Sequence, residues 1–266
     1  MNKFKLVLVF LVVFTAYGSL LAEERILFGA STRWAKDYYP LLFEKVKKEI
    51  GLDLSLVKIE DYDELDRQIK RGKINIAHLS PIEYVRLKNE LGNQIQYFLT
   101  VCRGKEMNYE SSYRGLVVSK ISSEYKNIDD LKSKIVGYKS KSSGSGYIYP
   151  IAMIKLAGFN PETHFSKLVK LEDGVLQALD AGSIQAAFIS NSMFNPQKHQ
   201  IIGQTDPIPL GPWIIIKGID EVTQTKLKKM LMGIPKDDPV FIKGPDFGGF
   251  IDANDAFYDS IRKYEK

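Results

Sequence analysis

The sequence predicts an α/β protein of two lobes, with mainly parallel sheets joined by two crossover strands. Three observations carry this expectation. Short apolar runs alternate with helix-period segments in the order βαβαβα, the pattern of a parallel sheet covered by helices. One βα unit recurs: Gly72-Lys-Ile-Asn-Ile-Ala-His-Leu-Ser80 returns as Gly182-Ser-Ile-Gln-Ala-Ala-Phe-Ile-Ser190. The offset of 110 residues also pairs Asp63 with Asp173, Leu65 with Val175 and Ile69 with Leu179. Finally, two stretches break the alternation, polar Arg103–Ser112 and Pro/Gly-rich Asp206–Pro212. They are the expected crossovers and hinges, which would make the first lobe discontinuous in sequence.

In order, Arg25–Ala30 is the first expected strand, and Trp34–Ile50 a helix with Leu41, Leu42, Val46 and Ile50 on one face, ended by Gly51. Strand Leu54–Ile59, helix Tyr62–Arg71, strand Ile74–Leu79, helix Pro81–Leu91 and strand Ile95–Val101 complete the first series. Tyr113–Ser119 opens the second, with strands near Ile135–Tyr138, Lys167–Leu171, Ala186–Ile189 and His199–Gln204, and helices starting near Ser145 and Gly174. Strand Trp213–Ile216, helix Glu221–Met232 and a helical end, Ala253–Tyr264, follow. In each copy of the echoed unit a glycine suits the left-handed position past a helix end. The apolar run after it suits a strand buried on both faces. The serine then falls at the strand's carboxyl end, where open α/β sheets bind ligands.

Residues 1–22 read as a signal peptide: Lys3 and Lys5, an apolar run from Leu6 to about Tyr17, then Gly18-Ser-Leu-Leu-Ala22 before Glu23. The run is short of the ~20 residues that span a bilayer, and no cysteine follows it to carry a lipid. The expected domains are 23–105 for the first part of lobe 1, 106–205 for lobe 2 and 206–266 for the return to lobe 1. Without Lys3 and Lys5 the net charge falls from +5 to +3, and its cations are dispersed among acids, which argues against nucleic acid as a partner. The single Cys102 excludes an internal disulfide and ends an apolar run, so it reads as a small core residue.

The strongest chemical signal is Lys141-Ser-Ser-Gly-Ser-Gly-Tyr-Ile-Tyr-Pro150, lying between a buried strand and a helix. Small residues let backbone N–H groups approach a ligand, and a helix N-terminus presents unpaired donors and a partial positive charge, the requirements of an anion site. Ser143 and Ser145 add hydroxyls. Ser80-Pro-Ile-Glu83 fits a capping box, and Tyr84, one turn on, is placed to offer its hydroxyl to the same cleft. Ala30-Ser-Thr32-Arg33 follows the first strand, where Arg33 could pair with an oxyanion. Catalytic signals are weak. His78, His164 and His199 lack metal-ligand spacing, and His78 reads as a packed strand residue. The Ser143–Gly146 run matches neither a nucleophile elbow nor a Walker A loop. Trp34, Trp213, Tyr38 and Tyr39 read as core.

At these residues the chain resembles the substrate-binding proteins of phosphate/phosphite/phosphonate ABC transporters. The resemblance rests on Glu60-Asp-Tyr62, Gly72–Ser80 with Pro81 and Tyr84, Tyr113-Arg-Gly-Leu-Val-Val and Ile128-Asp-Asp-Leu131. It continues through Ser143-Gly-Ser-Gly-Tyr147 with Pro150 and Gly249-Phe-Ile-Asp-Ala-Asn-Asp with Tyr258. It implies the type II periplasmic binding protein fold, with the oxyanion on Ser143, Gly144 and Ser145 and the site closed by Ser80, Tyr84, Tyr113 and Tyr62, with Thr32 and Asn191 as further candidates. Two departures stand out: Leu171-Glu-Asp-Gly174 lacks the family's histidine, and Ser190-Asn191 stands where an acid often meets a ligand's amino group. The resemblance implies a monomeric solute receptor without cofactor that delivers its ligand to a membrane permease. The alternatives are a ligand-sensing module for a membrane signalling partner and, least supported, an enzyme on the same fold.

Overall fold

A computed structural model describes residues 25–30, 39–57, 59, 62–103, 111–141, 143–171, 173–242 and 248–264. The chain runs β1 (Ile26–Ala30), α1 (Tyr39–Ile50), β2 (Leu54–Val57), α2 (Tyr62–Lys70), β3 (Ile76–His78), α3 (Pro81–Leu91) and β4 (Gln96–Cys102). It continues with β5 (Ser112–Tyr113), β6 (Gly115–Lys120), β7 (Ile135–Tyr138), a π-helical turn (Gly144–Ile148), α4 (Tyr149–Leu156), α5 (Pro161–His164), β8 (Lys167–Lys170), α6 (Val175–Ala181), β9 (Ala186–Ser190) and β10 (His199–Gln204). The remainder is β11 (Ile208–Pro209), β12 (Pro212–Ile215), α7 (Glu221–Met232), α8 (Pro239–Ile242), β13 (Gly249–Ile251), a 3-10 turn (Asp255–Tyr258) and α9 (Asp259–Arg262).

Among the described residues the strands form a six-stranded sheet, β13-β4-β12-β3-β1-β2, a five-stranded sheet, β10-β6-β9-β7-β8, and the pair β11-β5. The trio β2-β1-β3 is parallel, and so is β8-β7-β9. Next to each trio lies one strand of opposite direction, β12 against β3 and β6 against β9. Both are the strands that follow a crossover segment. β5, at the end of the first segment, and β11, within the second, pair antiparallel, Ile208 opposite Tyr113 and Pro209 opposite Ser112. Residues 104–110 of the first crossover, 34–38 at the start of the first expected helix and the expected signal peptide lie outside the described residues.

The echoed units do the same structural work. Gly72 and Gly182 follow their helices with φ of +62° and +80°, the left-handed conformation that costs a glycine least. Asn75 Oδ1 accepts from Leu27 N at 2.8 Å, and Gln185 Oε1, 110 positions on, accepts from Ile135 N at 3.0 Å. Each amide thereby ties the echoed strand to the parallel strand beside it. Both faces of each sheet are buried, so neighbouring residues enter different cores. Trp213 and Ile215 join one apolar cluster with Phe28 and Leu42, while Ile214 joins another with Tyr84 and Leu87. In the second sheet Val117 and Phe188 face one side, Val118 and Ile189 the other.

Several expectations need adjustment. The strand expected over Leu54–Ile59 ends at Val57, and the helical end begins at Asp255, because Ala253 N donates to Tyr97 Oη and Asn254 is extended. The helix expected near Ser145 opens as a π-helical turn, with Ile148 N donating to Ser143 O at 3.0 Å. Short elements β13, α5 and α8 carry too few residues for a periodic signal. Cys102 is buried as expected, its thiol pushed up to about 12 by burial. Trp213 and Tyr39 are core residues too, Trp213 Nε1 donating to Tyr39 Oη at 3.3 Å and Tyr39 Oη bonded to His78 Nδ1 at 2.6 Å.

β12 can lie between β3 and β4 only because Gly211, just before it, has no side chain. A Cβ there would sit 2.2 Å from Leu79 O and 2.6 Å from His78 Nε2. Gly211→Ala is expected to destabilise the protein by roughly 2 kcal/mol, the scale of core overpacking. Urea unfolding would read it as a lower midpoint at unchanged slope.

Candidate functional site

Ser143 caps the helix that follows β7, and its Oγ accepts from Gly146 N at 3.2 Å. From Gly144 the chain turns as a π-helix and passes without a break into α4, whose second residue is Pro150, which has no N–H to donate to the preceding turn. The leading amides of such a helix have no partner within it. Gly144 lets two aromatic side chains approach this end closely. A methyl group on it would lie 2.9 Å from Tyr113 Oη and 3.0 Å from the ring of Tyr149, so both aromatic side chains reach the turn. Gly115 likewise lets β6 start against the turn, since a Cβ would meet Ser145 O at 3.1 Å. A cation borders this end: the Arg103 guanidinium lies over the Tyr113 ring at 4.8 Å, while Arg114 Nη1 donates to Thr205 O at 2.7 Å. Oriented amides, hydroxyls and nearby positive charge favour a small anion.

The structure thus brings together Ser143, Gly144, Ser145 and Tyr113. Asn191 joins them through the backbone: its Oδ1 accepts from Arg114 N at 3.0 Å and its own N donates to Arg114 O at 3.0 Å. It is engaged in holding the start of β6 in place. Ser80 stands at the carboxyl end of β3 as the N-cap of α3, in a complete capping box: Ser80 N donates to Glu83 Oε2 at 2.9 Å, and Glu83 N to Ser80 Oγ at 3.4 Å. Tyr84 is different. It is fully buried, and its hydroxyl donates to Asp255 Oδ1, which Arg262 also grips through both carboxylate oxygens at 2.7 Å. Burial works to raise the Asp255 pKa, but hydrogen bonds from Tyr84 and Arg262 hold it below the usual carboxylate range. Here Tyr84 fastens the C-terminal end to α3, where a cleft hydroxyl had been expected. Thr32, Arg33, Trp34, Tyr38 and Glu60-Asp61 lie outside the described residues, as does the side chain of Tyr62.

The sequence places Arg103 in a polar loop and assigns no role to Arg114, Gly115 or Tyr149. Tyr149 lies inside the Ser/Gly segment already singled out, and Arg103 and Arg114 bound the first crossover. Position beside an expected crossover is the available signal.

The sequence profile described as ABC transporter, phosphonate, periplasmic substrate-binding protein matches residues 29–258. The chain belongs to this family. As a member of the phosphonate-type binding proteins it is a periplasmic substrate-binding component that works with an ABC permease. Its fold is shared by XAC2383 from Xanthomonas citri bound to ATP, at 16% identity and a TM-score of 0.70 over 91% of this chain and 94% of that one. PhnD1 from Prochlorococcus marinus in complex with methylphosphonate matches at 14% identity and 0.65, over 91% and 97%. A binding protein component of an ABC phosphonate transporter from Pseudomonas aeruginosa matches at 16% and 0.62, over 91% and 85%.

One group of this phosphonate-type protein gives it a pH signature. Burial pushes the Glu83 carboxyl up to about 7, against the hydrogen bonds it makes at Ser80. The Arg86 charge lowers it and the Asp66 charge raises it. Because the folded value lies above the ordinary 4.5, the folded chain holds the extra proton between about pH 4.5 and 7. Its stability contribution is therefore present below that window and lost as pH rises through it. Glu83→Gln keeps an acceptor for Ser80 N and removes the titration. The melting-temperature difference between pH 5 and pH 8 should shrink in this variant by the equivalent of roughly 1–3 kcal/mol.

Proposed function

We propose that residues 23–105 with 206–266 form one lobe and residues 106–205 the other, and that they close on a small phosphorus oxyanion of phosphate, phosphite or phosphonate type. The observation that carries this is the Ser143–Gly146 turn: a helix N-terminus at the carboxyl end of a buried parallel strand, with the Tyr113 hydroxyl against it. Ser143, Gly144 and Ser145 bind the oxyanion, Tyr113 closes one side, and Arg103 adds charge. Ser80 faces the cleft from the end of β3, and Thr32 and Tyr62 are further candidates from the same lobe. Asn191 acts by holding Arg114 and the start of β6. The complex with methylphosphonate in the Prochlorococcus marinus relative supports this ligand class.

Binding uses fixed dipoles and hydroxyl donors, which need no reorganisation when charge arrives. Their effect grows as water leaves the closing cleft. β5 and β11 pair where the chain passes between the two large sheets, so closure is a rotation about them. The receptor is cut after Ala22, acts as a monomer, and releases its ligand to the permease.

The test is a thermal-shift screen of the chain from Glu23 with phosphate, phosphite, sulfate, alkyl- and aminophosphonates, sulfonates and neutral sugars. A ligand present at about 100 times its Kd adds about 2.7 kcal/mol, a rise of roughly 5–10 °C for a protein of this size. One phosphorus oxyanion should stand out. Ser145→Asp, which puts a carboxylate into the anion position, should abolish its effect. A parental response in this variant would place the ligand elsewhere.

A further inference from the structure

The C-terminal segment grips the second crossover in three places. Tyr258 Oη donates to Leu210 O at 2.8 Å, Ser260 Oγ donates to Pro207 O at 3.2 Å, and Lys263 pairs with Asp206. The contacts run in opposite chain directions, as two antiparallel strands would, so the segment lies along the crossover as a strap. Its base is fixed in the first lobe. Tyr258 and Ile261 are fully buried in the cluster that holds Tyr84 and Leu87, and Arg262 closes on Asp255. Its tip reaches the other side of the hinge. The Tyr264 ring packs on Tyr149 with centroids 5.5 Å apart at 56°, and the Arg114 charge acts on its hydroxyl.

Tyr149 is the first residue of α4 and is 1% exposed, yet it belongs to the same buried cluster as Leu79, Tyr84 and Tyr258. Its ring packs on Tyr264 and also reaches Gly144. We infer that Asp255–Tyr264 is a strap across the hinge and that Tyr264 is a positioning residue for the anion turn, acting through the Tyr149 ring. It sets where Gly144 stands relative to the first lobe and touches no ligand. The inference deepens the oxyanion reading and rests on it for its consequence, a change in affinity. Its structural content can be measured without ligand.

The experiment is amide hydrogen exchange across the ligand-free chain from Glu23, for the parent, Tyr264→Ala and Tyr264→Phe, followed by titration of each with methylphosphonate. In Tyr264→Ala the amides of Gly144–Tyr149 should exchange about tenfold faster, with β7 and β9 near parental protection. Affinity for methylphosphonate should fall by a similar factor. Tyr264→Phe keeps the ring and should match the parent in both measurements. Unchanged exchange at Gly144–Tyr149 in Tyr264→Ala would overturn the inference. So would faster exchange spread evenly over β6–β10, which would make Tyr264 a general stabiliser, or a Tyr264→Phe that behaves as the alanine variant does. A parent that binds no phosphorus oxyanion would refute the ligand reading, and the exchange pattern would still decide the strap.

Discussion

The architecture depends on where the chain reinserts after each crossover. β12 hydrogen-bonds to β3 on one side and β4 on the other, so the six-stranded sheet exists only if residues more than a hundred positions apart meet. β6 likewise lies between β9 and β10, although these three strands come from one continuous stretch of chain. Each parallel trio is thus bordered by the strand that follows a crossover segment. Unpaired backbone groups inside a sheet are costly, so the six-stranded sheet is complete only after the chain has built the five-stranded one and returned. This constraint fixes the number of connections and sets them side by side, where β5 and β11 pair.

From this follows the position of the proposed site. The reinserted strands leave the carboxyl ends of β3, β7 and β9 facing the region beside the crossovers. Polar positions there are Ser80, the Ser143–Gly146 turn and Ser190-Asn191. A site made of backbone amides and hydroxyls holds an anion with little cost in reorganisation, and a receptor that must also release its ligand gains from that economy. Tyr113 couples the two features, since its backbone belongs to β5 and its hydroxyl touches the turn. In the proposed mechanism, hinge rotation and anion contact are linked within one residue.

Much of this was legible in the sequence wherever the determinant was local. Helix Pro81–Leu91 was readable to the residue because the capping box and Pro81 define its start. The glycines of the echo announced left-handed helix ends, and Asn75 and Gln185 proved equivalent in their hydrogen bonds. What stayed hidden was long-range. No local pattern says that β12 enters between β3 and β4, nor that Tyr84 finds Asp255, 171 residues away. A tyrosine hydroxyl near a strand end looks the same in sequence whether it meets a ligand or a buried carboxylate. The roles of Tyr149 and Tyr264 were invisible for the same reason, since they arise from packing between elements at distant points of the chain.

The most direct test of the central claim is an amide-resolved NMR titration of the chain from Glu23 with methylphosphonate. Hydrogen bonding to an oxyanion moves an amide proton downfield, and the signal identifies the donors one by one. The Gly144 and Ser145 amides should show the largest downfield shifts in the protein, with smaller changes around Tyr113 and Ser80. If methylphosphonate binds while these two amides hold their positions and the largest shifts fall elsewhere, the turn is not the anion site and the mechanism built on it fails.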